Sequence, residues 1–420
     1  MTRTREGRDA GSKPDAAFGT RYAAFAVTAP GLAPLAAQEL TALGIIPESI
    51  DAAGVAFATE LAGVARANLE LRTASRVLVR VDEFRAATFH ELEKRTARID
   101  WSRWLAPGRD VSLRVTCRKS RLYHSGAVAQ RVAAQLEGVG GRISTGAGSA
   151  DGASPDDREE DGDSQLLVVR ILHDRCTISL DSSGALLHRR GYRQGAGKAP
   201  LRETLGAALL LASGWIPGTP LVDPFCGAGT LPIEAALMAR RMAPGRQRSF
   251  ALERWPGVDA SVIARIRHES TGRELPSAAA MIVGSDRDAG AIADARDNAE
   301  RAGVAADIQF EVRAVSSLAF PAGFSTMGAV VTNPPYGVRV GDGRTLRNLY
   351  ARTGAVLRSV CPGWRIALVA ADRRLVGELG IPLDDRVRTS NGGLSVAFAT
   401  GEIPASSPAQ FFSAPNRSTG

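Results

Sequence analysis

Cysteine is scarce in this chain. The 420 residues hold four, Cys117, Cys176, Cys226 and Cys361, without a C-x-x-C pair, and the five histidines do not cluster with them. That pattern argues against a disulfide framework and a zinc site, so no metal is expected, and it fits a reducing cytoplasm. Long apolar runs are also missing. No uncharged stretch reaches the roughly 20 residues that a bilayer span needs, so no membrane partner is expected. Residues 1–18 are polar and charged with no apolar segment, which reads as a disordered tail and not as a secretory signal. Acidic residues are the minority: 44 Asp and Glu against 52 Lys and Arg leave a net charge of +8. A positive balance of that size favours a polyanionic partner.

What is present is ample apolar material, 44% of the residues, and a length that accommodates two or three domains at about 150 residues each. Residues 19–100 read as a small α+β unit, with strands over Tyr22–Thr28, Val55–Thr59 and Arg76–Phe84 and helices over Ala33–Leu43 and Leu61–Leu71. Gly44 is the expected stop of the first helix. Residues 101–195 read as a second unit, with strands at Asp110–Cys117, Gln165–Leu172 and Cys176–Asp181 around a helix at Gly126–Leu136. Inside it, 138–164 is rich in Gly, Ser and Asp and ends in the acidic run Asp156-Asp157-Arg158-Glu159-Glu160-Asp161, the composition of a mobile insertion.

From 196 to 403 the pattern becomes repeated strand–helix units. Strands are expected at Leu221–Pro224, Met281–Ser285, Ile308–Val312, Met327–Thr332 and Arg365–Ala370, and helices at Thr230–Arg240, Asp288–Ala302 and Leu346–Val360. That order predicts an α/β, doubly wound sheet with its ligand at the strand carboxyl ends. Ser390-Asn391-Gly392-Gly393 between Val387–Thr389 and Leu394–Thr400 is hairpin chemistry and adds an antiparallel element at the end of the sheet. Residues 404–420 read as a second loose tail.

Two stretches carry chemistry. Asp223-Pro224-Phe225-Cys226-Gly227-Ala228-Gly229-Thr230 places glycines between a strand and a helix, where the backbone can turn sharply and approach a ligand. A dinucleotide loop would want a further Gly near position 232, which is Pro232, and no Gly-Lys-Ser/Thr follows for a P-loop. With no pyrophosphate to cradle, the strand-end acid Asp223 suits a cofactor carrying a cationic amino group. Asp286 ends the next strand and can accept both hydroxyls of a ribose. Its alternative role is a helix cap, for which Asp288 is better placed.

The second stretch is Asn333-Pro334-Pro335-Tyr336-Gly337, at the end of an apolar run. An exocyclic amine on a base or amide is a poor nucleophile, because its lone pair is delocalised. The Asn333 side-chain carbonyl and the Pro334 backbone carbonyl can accept its N–H bonds and draw the lone pair out. The two prolines fix φ and remove local donors, so the acceptors point one way. Tyr336 offers a face for a flipped base. Together the two stretches suggest methyl transfer from S-adenosylmethionine to an exocyclic nitrogen. RNA guanine-N2, DNA adenine-N6 and protein glutamine-N5 methylation share this clamp, and an RNA-binding protein without activity is the reading from a different class.

At these residues the sequence resembles the THUMP-domain class I RNA methyltransferases, specifically the guanine-N2 group. Ala29-Pro30-Gly31-Leu32, 66–78, Lys119-Ser120-Arg121-Leu122-Tyr123-His124, Leu187-His188-Arg189-Arg190-Gly191-Tyr192-Arg193 and Ala199-Pro200-Leu201-Arg202-Glu203 extend the resemblance over about residues 20–403. It implies a Rossmann-like class I methyltransferase sheet preceded by an α+β ferredoxin-like/THUMP region. It implies that Asp223, Phe225, Cys226, Gly227, Gly229, Thr230, Asp286 and Arg287 hold S-adenosylmethionine, and that Asn333, Pro334, Pro335 and Tyr336 hold a guanine. It favours large-subunit rRNA over tRNA as the substrate; the oligomeric state is not given by the sequence, and a monomer is the expectation. Arg118, Lys119, Arg121 and His124 read as an RNA-facing patch, with an ordinary solvated edge as the alternative. Arg240, Arg241, Arg246 and Arg248 form a second basic stretch read the same way. Where the family often has an acid near the adenine, this chain has Ala314, so Ser316 or a backbone carbonyl is expected to substitute.

Overall fold

The computed structural model describes residues 21–138, 142–144, 164–194, 201–319, 327–336 and 343–404. The expected tails, apart from Pro404, lie outside the described residues. So do the expected insertion from 145 to 163 and Gly337 of the clamp.

The amino-terminal part contains β1 (Tyr22–Thr28), α1 (Ala33–Ala42), β2 (Pro47–Asp51), β3 (Gly54–Thr59), α2 (Leu61–Glu70), β4 (Ala74–Arg85), α3 (Phe89–Thr96), β5 (Asp110–Arg118), α4 (Ser125–Glu137), β6 (Arg142–Ser144), β7 (Gln165–Leu172) and β8 (Arg175–Asp181). These strands form one eight-stranded sheet in the order β2-β3-β1-β4-β8-β7-β5-β6. The two units read from sequence therefore share a sheet. β4 pairs antiparallel with β8 from Leu78↔Asp181 to Arg85↔Arg175. Central β4 buries Val77 and Val79 fully, which is the alternation a strand with one core face requires. It also buries Arg76 against Asp181 at 2.5 Å, a pair that joins the two strands from within.

The second part contains α5 (Glu203–Ser213), β9 (Leu221–Asp223), α6 (Thr230–Ala239), α7 (Ala260–Thr271), β10 (Ile282–Asp286), α8 (Ala289–Ala302), β11 (Ile308–Val312), β12 (Ala329–Thr332), α9 (Gly343–Val360), β13 (Arg365–Ala370), α10 (Arg373–Gly377), β14 (Leu383–Asn391) and β15 (Leu394–Glu402). Its seven strands run β11-β10-β9-β12-β13-β15-β14. The first five are parallel, and β15 and β14 return antiparallel. The chain builds outward from β9 in both directions, through β10 on one side and β12 on the other. The crevice at the β9 and β12 carboxyl ends is therefore the topological switch point, where open α/β sheets bind their ligands. Among the described residues no helix is long and apolar enough to cross a membrane.

The two parts pack closely. Leu32 of the amino-terminal part lies fully buried in the core of the second. Gly31, at φ 77°, brings its backbone against β14, so close that an added Cβ would sit 2.2 Å from the Arg388 carbonyl oxygen. Arg190 donates to the Arg72 carbonyl at 2.6 Å and pairs with buried Glu234 at 3.4 Å.

Candidate active site

β9 is three residues of apolar run ending in an acid, and burial of that run takes Asp223 with it, to 1% exposure. Its carboxylate accepts from the Phe225 N–H at 3.1 Å and from the Thr332 hydroxyl at 2.6 Å. Burial pushes the Asp223 carboxyl up to about 7, against those two hydrogen bonds and with the Asp286 carboxylate adding to the rise. A buried carboxyl in this state is poised to ionise when a cation arrives.

The chain then turns through Pro224–Gly229. The Cys226 N–H donates to the Ser285 carbonyl at 3.0 Å, and the Gly229 N–H to the Cys226 carbonyl at 2.8 Å. Gly229 has φ 85°, and a Cβ there would meet Ala295 Cβ at 3.0 Å and Phe310 Cζ at 3.1 Å. Gly227 differs: at φ 50° a Cβ would meet no atom within 4 Å. One glycine is demanded by packing and the other leaves open space beside the turn. Cys226 is buried, and desolvation drives its thiol far above the ordinary range, so it stays a neutral filler.

Asp286, at the end of β10, accepts from the Gly227 N–H at 3.1 Å through Oδ2 and from the Asp288 N–H at 3.0 Å through Oδ1. Asp288 caps α8, accepting from Gly290 at 2.8 Å and Ala291 at 3.3 Å. Asp286 is thereby released from capping, and each of its oxygens keeps a lone pair for a further donor. Arg287 beside it is exposed. Thr230, the first residue of α6, accepts from the Arg193 guanidinium, which also pairs with Glu203 at 3.0 Å. Arg193 thus ties the turn to α5. Ser316 lies exposed in a short helical turn after β11, and Ala314 precedes it.

Asn333 follows β12 directly. Its Oδ1 is buried and has no hydrogen-bond partner among the described residues, a state that costs about 1–3 kcal/mol for a neutral group. Nothing among the described residues donates to the Pro334 carbonyl. The Pro335 carbonyl is taken by the Tyr350 hydroxyl at 3.3 Å. Tyr336 accepts from Asn391 Nδ2 at 3.0 Å, so the terminal hairpin holds the phenol. Phe225 of the turn and Thr332 and Pro334 of the clamp line one small hollow with Tyr350. The fold thus brings together two motifs about a hundred residues apart. Thr332, Tyr350 and Asn391 carry no functional signal in the sequence, Asn391 reading only as turn chemistry, and Arg193 appears there only as the end of the 187–193 motif.

The basic residues divide. Arg118, Lys119, Arg121 and His124 are all exposed, at the end of β5 and the start of α4, and the His124 ring also caps α4 by accepting from the Ala127 N–H at 3.4 Å. The second stretch divides: Arg240 and Arg248 are half-buried and engaged within the protein, which corrects their reading as an RNA surface, whereas Arg241 and Arg246 are exposed. Arg240 donates to the Gly303 carbonyl at 2.8 Å and pairs with Asp307 at 3.3 Å. Arg246 pairs with Glu274 at 3.7 Å. Arg248 donates to the carbonyls of Leu186 at 2.8 Å, Arg189 at 3.2 Å, Ser183 at 3.3 Å and Ala185. Burial, with Arg190 nearby, lowers its guanidinium to about 10.

The residues present fit S-adenosylmethionine. Asp223 offers a buried, titratable carboxyl to a cationic amino group, Gly227 leaves open space, and Asp286 offers acceptors to hydroxyls. Residues 190–393 match the model of the RMKL-like methyltransferase domain, and 23–78 match the RlmL ferredoxin-like domain. A provisionally named RNA methyltransferase of Synechocystis is 33% identical over 371 residues, which is 88% of this chain and 94% of that one. The ribosomal RNA large subunit methyltransferase K/L of Syntrophotalea carbinolica is 38% identical over 384 residues; there this chain spans only 52% of the relative. In structure, the chain is similar to a provisionally named methyltransferase solved in complex with SAH, at TM-score 0.79 and 27% identity, covering 93% of this chain and 100% of that one. The chain belongs to the RMKL-like family of class I, S-adenosylmethionine-dependent RNA methyltransferases.

Proposed function

We propose that the protein methylates the exocyclic N2 of a guanosine in structured RNA, with large-subunit ribosomal RNA as the substrate. The observation that carries this reading is the Asn333 Oδ1 at the switch point, beside the Asp223 turn, buried and without a partner among the described residues. A carbonyl acceptor held dry and without a donor awaits one, and a planar amine is the donor whose reactivity it would raise.

The chain's part in the reaction is to hold that amine. Asn333 Oδ1 and the Pro334 carbonyl accept its two N–H bonds, which turns the nitrogen lone pair out of conjugation. Tyr336, fixed at its hydroxyl by Asn391, offers a ring face to the extruded base. Bound S-adenosylmethionine supplies the methyl group, on a positively charged sulfur. Alignment of two held reactants then lowers the barrier without a metal-activated nucleophile. The substrate class is supported by the relative named as a large-subunit rRNA methyltransferase, of which this chain spans 52%, and by the exposed basic residues of the amino-terminal part.

The test uses the purified protein, labelled S-adenosylmethionine and undermethylated total RNA from a strain lacking the gene. Label in N2-methylguanosine from the rRNA fraction is the expected result. The same nucleoside from tRNA would replace the substrate, and label in another nucleoside, or in DNA, would sink the guanine reading.

A further inference from the structure

We infer that the 118–124 loop is a platform for single-stranded RNA, on which Tyr123 stacks one unpaired base while Arg118, Lys119 and Arg121 meet the flanking phosphates. The inference rests on the RNA reading above and adds a contact, Tyr123, that the basic patch alone does not contain.

Three observations carry it. The first is exposure. Tyr123 is 80% exposed, whereas Leu122 beside it is 5% exposed and packs in the core. The loop is therefore anchored by Leu122 and turns the phenol outward.

The second is the rigidity of the backbone that presents the ring. The Ser120 hydroxyl donates to the Arg118 carbonyl at 2.8 Å and accepts from the Asp174 N–H at 3.0 Å. The Asp174 carboxylate accepts from the Arg121 N–H at 2.7 Å. His124 closes the far end as the cap of α4. Lys119, His173 and Asp174 all hold positive φ, at 48°, 50° and 60°, so this loop and the β7–β8 turn brace each other in conformations that cost energy for residues with a Cβ. An aromatic ring on a fixed backbone loses little freedom when a ligand settles on it.

The third is charge. Arg118, Lys119 and Arg121 are exposed and make no ion pair among the described residues. Asp174, the acid within the cluster, is engaged by a backbone N–H. Elsewhere arginines such as Arg76, Arg190 and Arg248 are consumed by carboxylates and carbonyls. Here three exposed cations share a loop with an exposed phenol, and none of them forms an ion pair among the described residues.

The combination selects the ligand. A protein partner needs about 800 Å² of complementary surface on each side, and a membrane needs an apolar face. This loop has one exposed apolar ring among cations. A single ring suffices for a nucleobase, because every base has a stackable face, and cations beside it match the phosphates. Duplex RNA hides its base faces within the helix, so the partner is an unpaired nucleotide.

The experiment compares a fluorescein-labelled RNA hairpin carrying a short single-stranded overhang with the same hairpin blunt, titrated against the full-length protein at several salt concentrations. Tyr123→Ala should weaken overhang binding by about five- to a hundredfold, the range for loss of one stacked base. It should leave blunt-hairpin binding and the salt slope unchanged. Lys119→Glu with Arg121→Glu should instead flatten the salt slope. Tyr123→Trp should keep the affinity, and its emission should be quenched by the overhang probe and not by the blunt one. Trp101, Trp215, Trp255 and Trp364 are buried and Trp104 is half-buried against Tyr22 and Trp255, so quenching seen in Tyr123→Trp and absent from the wild-type protein reports position 123. Wild-type overhang affinity in Tyr123→Ala, or a Trp signal unmoved at saturation, would overturn the platform. Binding needs no turnover, so failure of the N2-methylguanosine assay with these effects intact would remove the guanine reading and leave the platform standing.

Discussion

The Thr332 hydroxyl donates to Asp223 Oδ1 at 2.6 Å, across 109 residues of sequence. It links the last residue of β12 to the last residue of β9, and so the strand that leads into the Asn-Pro-Pro-Tyr run to the strand that leads into the glycine turn. The two strands are joined at the switch point by this one donor and acceptor, and that bond has consequences for pH and for stability.

Burial raises the Asp223 carboxyl from the ordinary 3.8 to about 7. The folded protein holds this proton more tightly than the unfolded chain does. The stability it contributes is therefore complete below about pH 4 and is lost as pH rises through about 7. Asp223→Asn should flatten that part of the stability profile in urea titrations from about pH 4 to pH 8. Binding of the cationic S-adenosylmethionine should strengthen as pH rises through about 7 and should release a proton on the acid side. Calorimetry in two buffers of different ionisation enthalpy checks this, and a binding heat independent of buffer at about pH 6 would remove Asp223 from the cofactor's ammonium. Thr332→Val should raise the carboxyl further and move the binding midpoint to higher pH.

Asn333→Ala removes an acceptor that is buried without a donor in the free protein. It should leave S-adenosylmethionine affinity intact and lower kcat by about a hundred- to a thousandfold, by analogy with loss of one preorganised oxyanion donor. The melting temperature should not fall, since an unsatisfied buried group leaves with the amide. Near-normal single-turnover rates would discard the clamp.

Asn391 holds the Tyr336 phenol from the terminal hairpin, 55 residues away. Asn391→Ala should lower kcat by about tenfold, with cofactor affinity unchanged, because only the ring's orientation is lost. Tyr336→Phe should give a similar loss, and the double variant no more than either alone. Additive losses would show that the two residues act separately.

Arg248 straps four carbonyls of the 183–189 segment and lies over the Phe250 ring at 5.4 Å. Arg248→Glu should destabilise the fold by about 3 kcal/mol or more, by burying a carboxylate among carbonyls. Urea denaturation measures this. A folded variant with only weakened RNA binding would return Arg248 to the RNA surface.

The elements legible in the sequence are those specified locally. Tyr22–Thr28, Gln165–Leu172, Ile308–Val312 and Arg365–Ala370 are strands with the limits their apolar runs suggest. Elements without a local contrast escaped. α5 is buried on nearly every side and shows no periodicity. β2 is almost wholly exposed at the sheet edge. α3 is short and mostly polar, with only Phe89 and Leu92 apolar, and its clearest local signal is the capping box that Thr88 and Glu91 complete. α7 buries only Ile263, Ile266 and Ser270.

By itself the sequence determined which functional groups the proposed site has to use. The acid, the two glycines and the Asn-Pro-Pro-Tyr run act through backbone conformation and functional groups that each segment carries with it. Tertiary structure alone decided which groups remain available for that chemistry. It buried Asp223 and raised its carboxyl, left Asn333 Oδ1 without a donor, gave the Tyr336 hydroxyl to Asn391, and used up Arg248 while leaving Lys119 and Arg121 in solvent. Those outcomes follow from desolvation and from contacts between residues far apart in the chain, and neither is set until the strands have taken their order in the sheet.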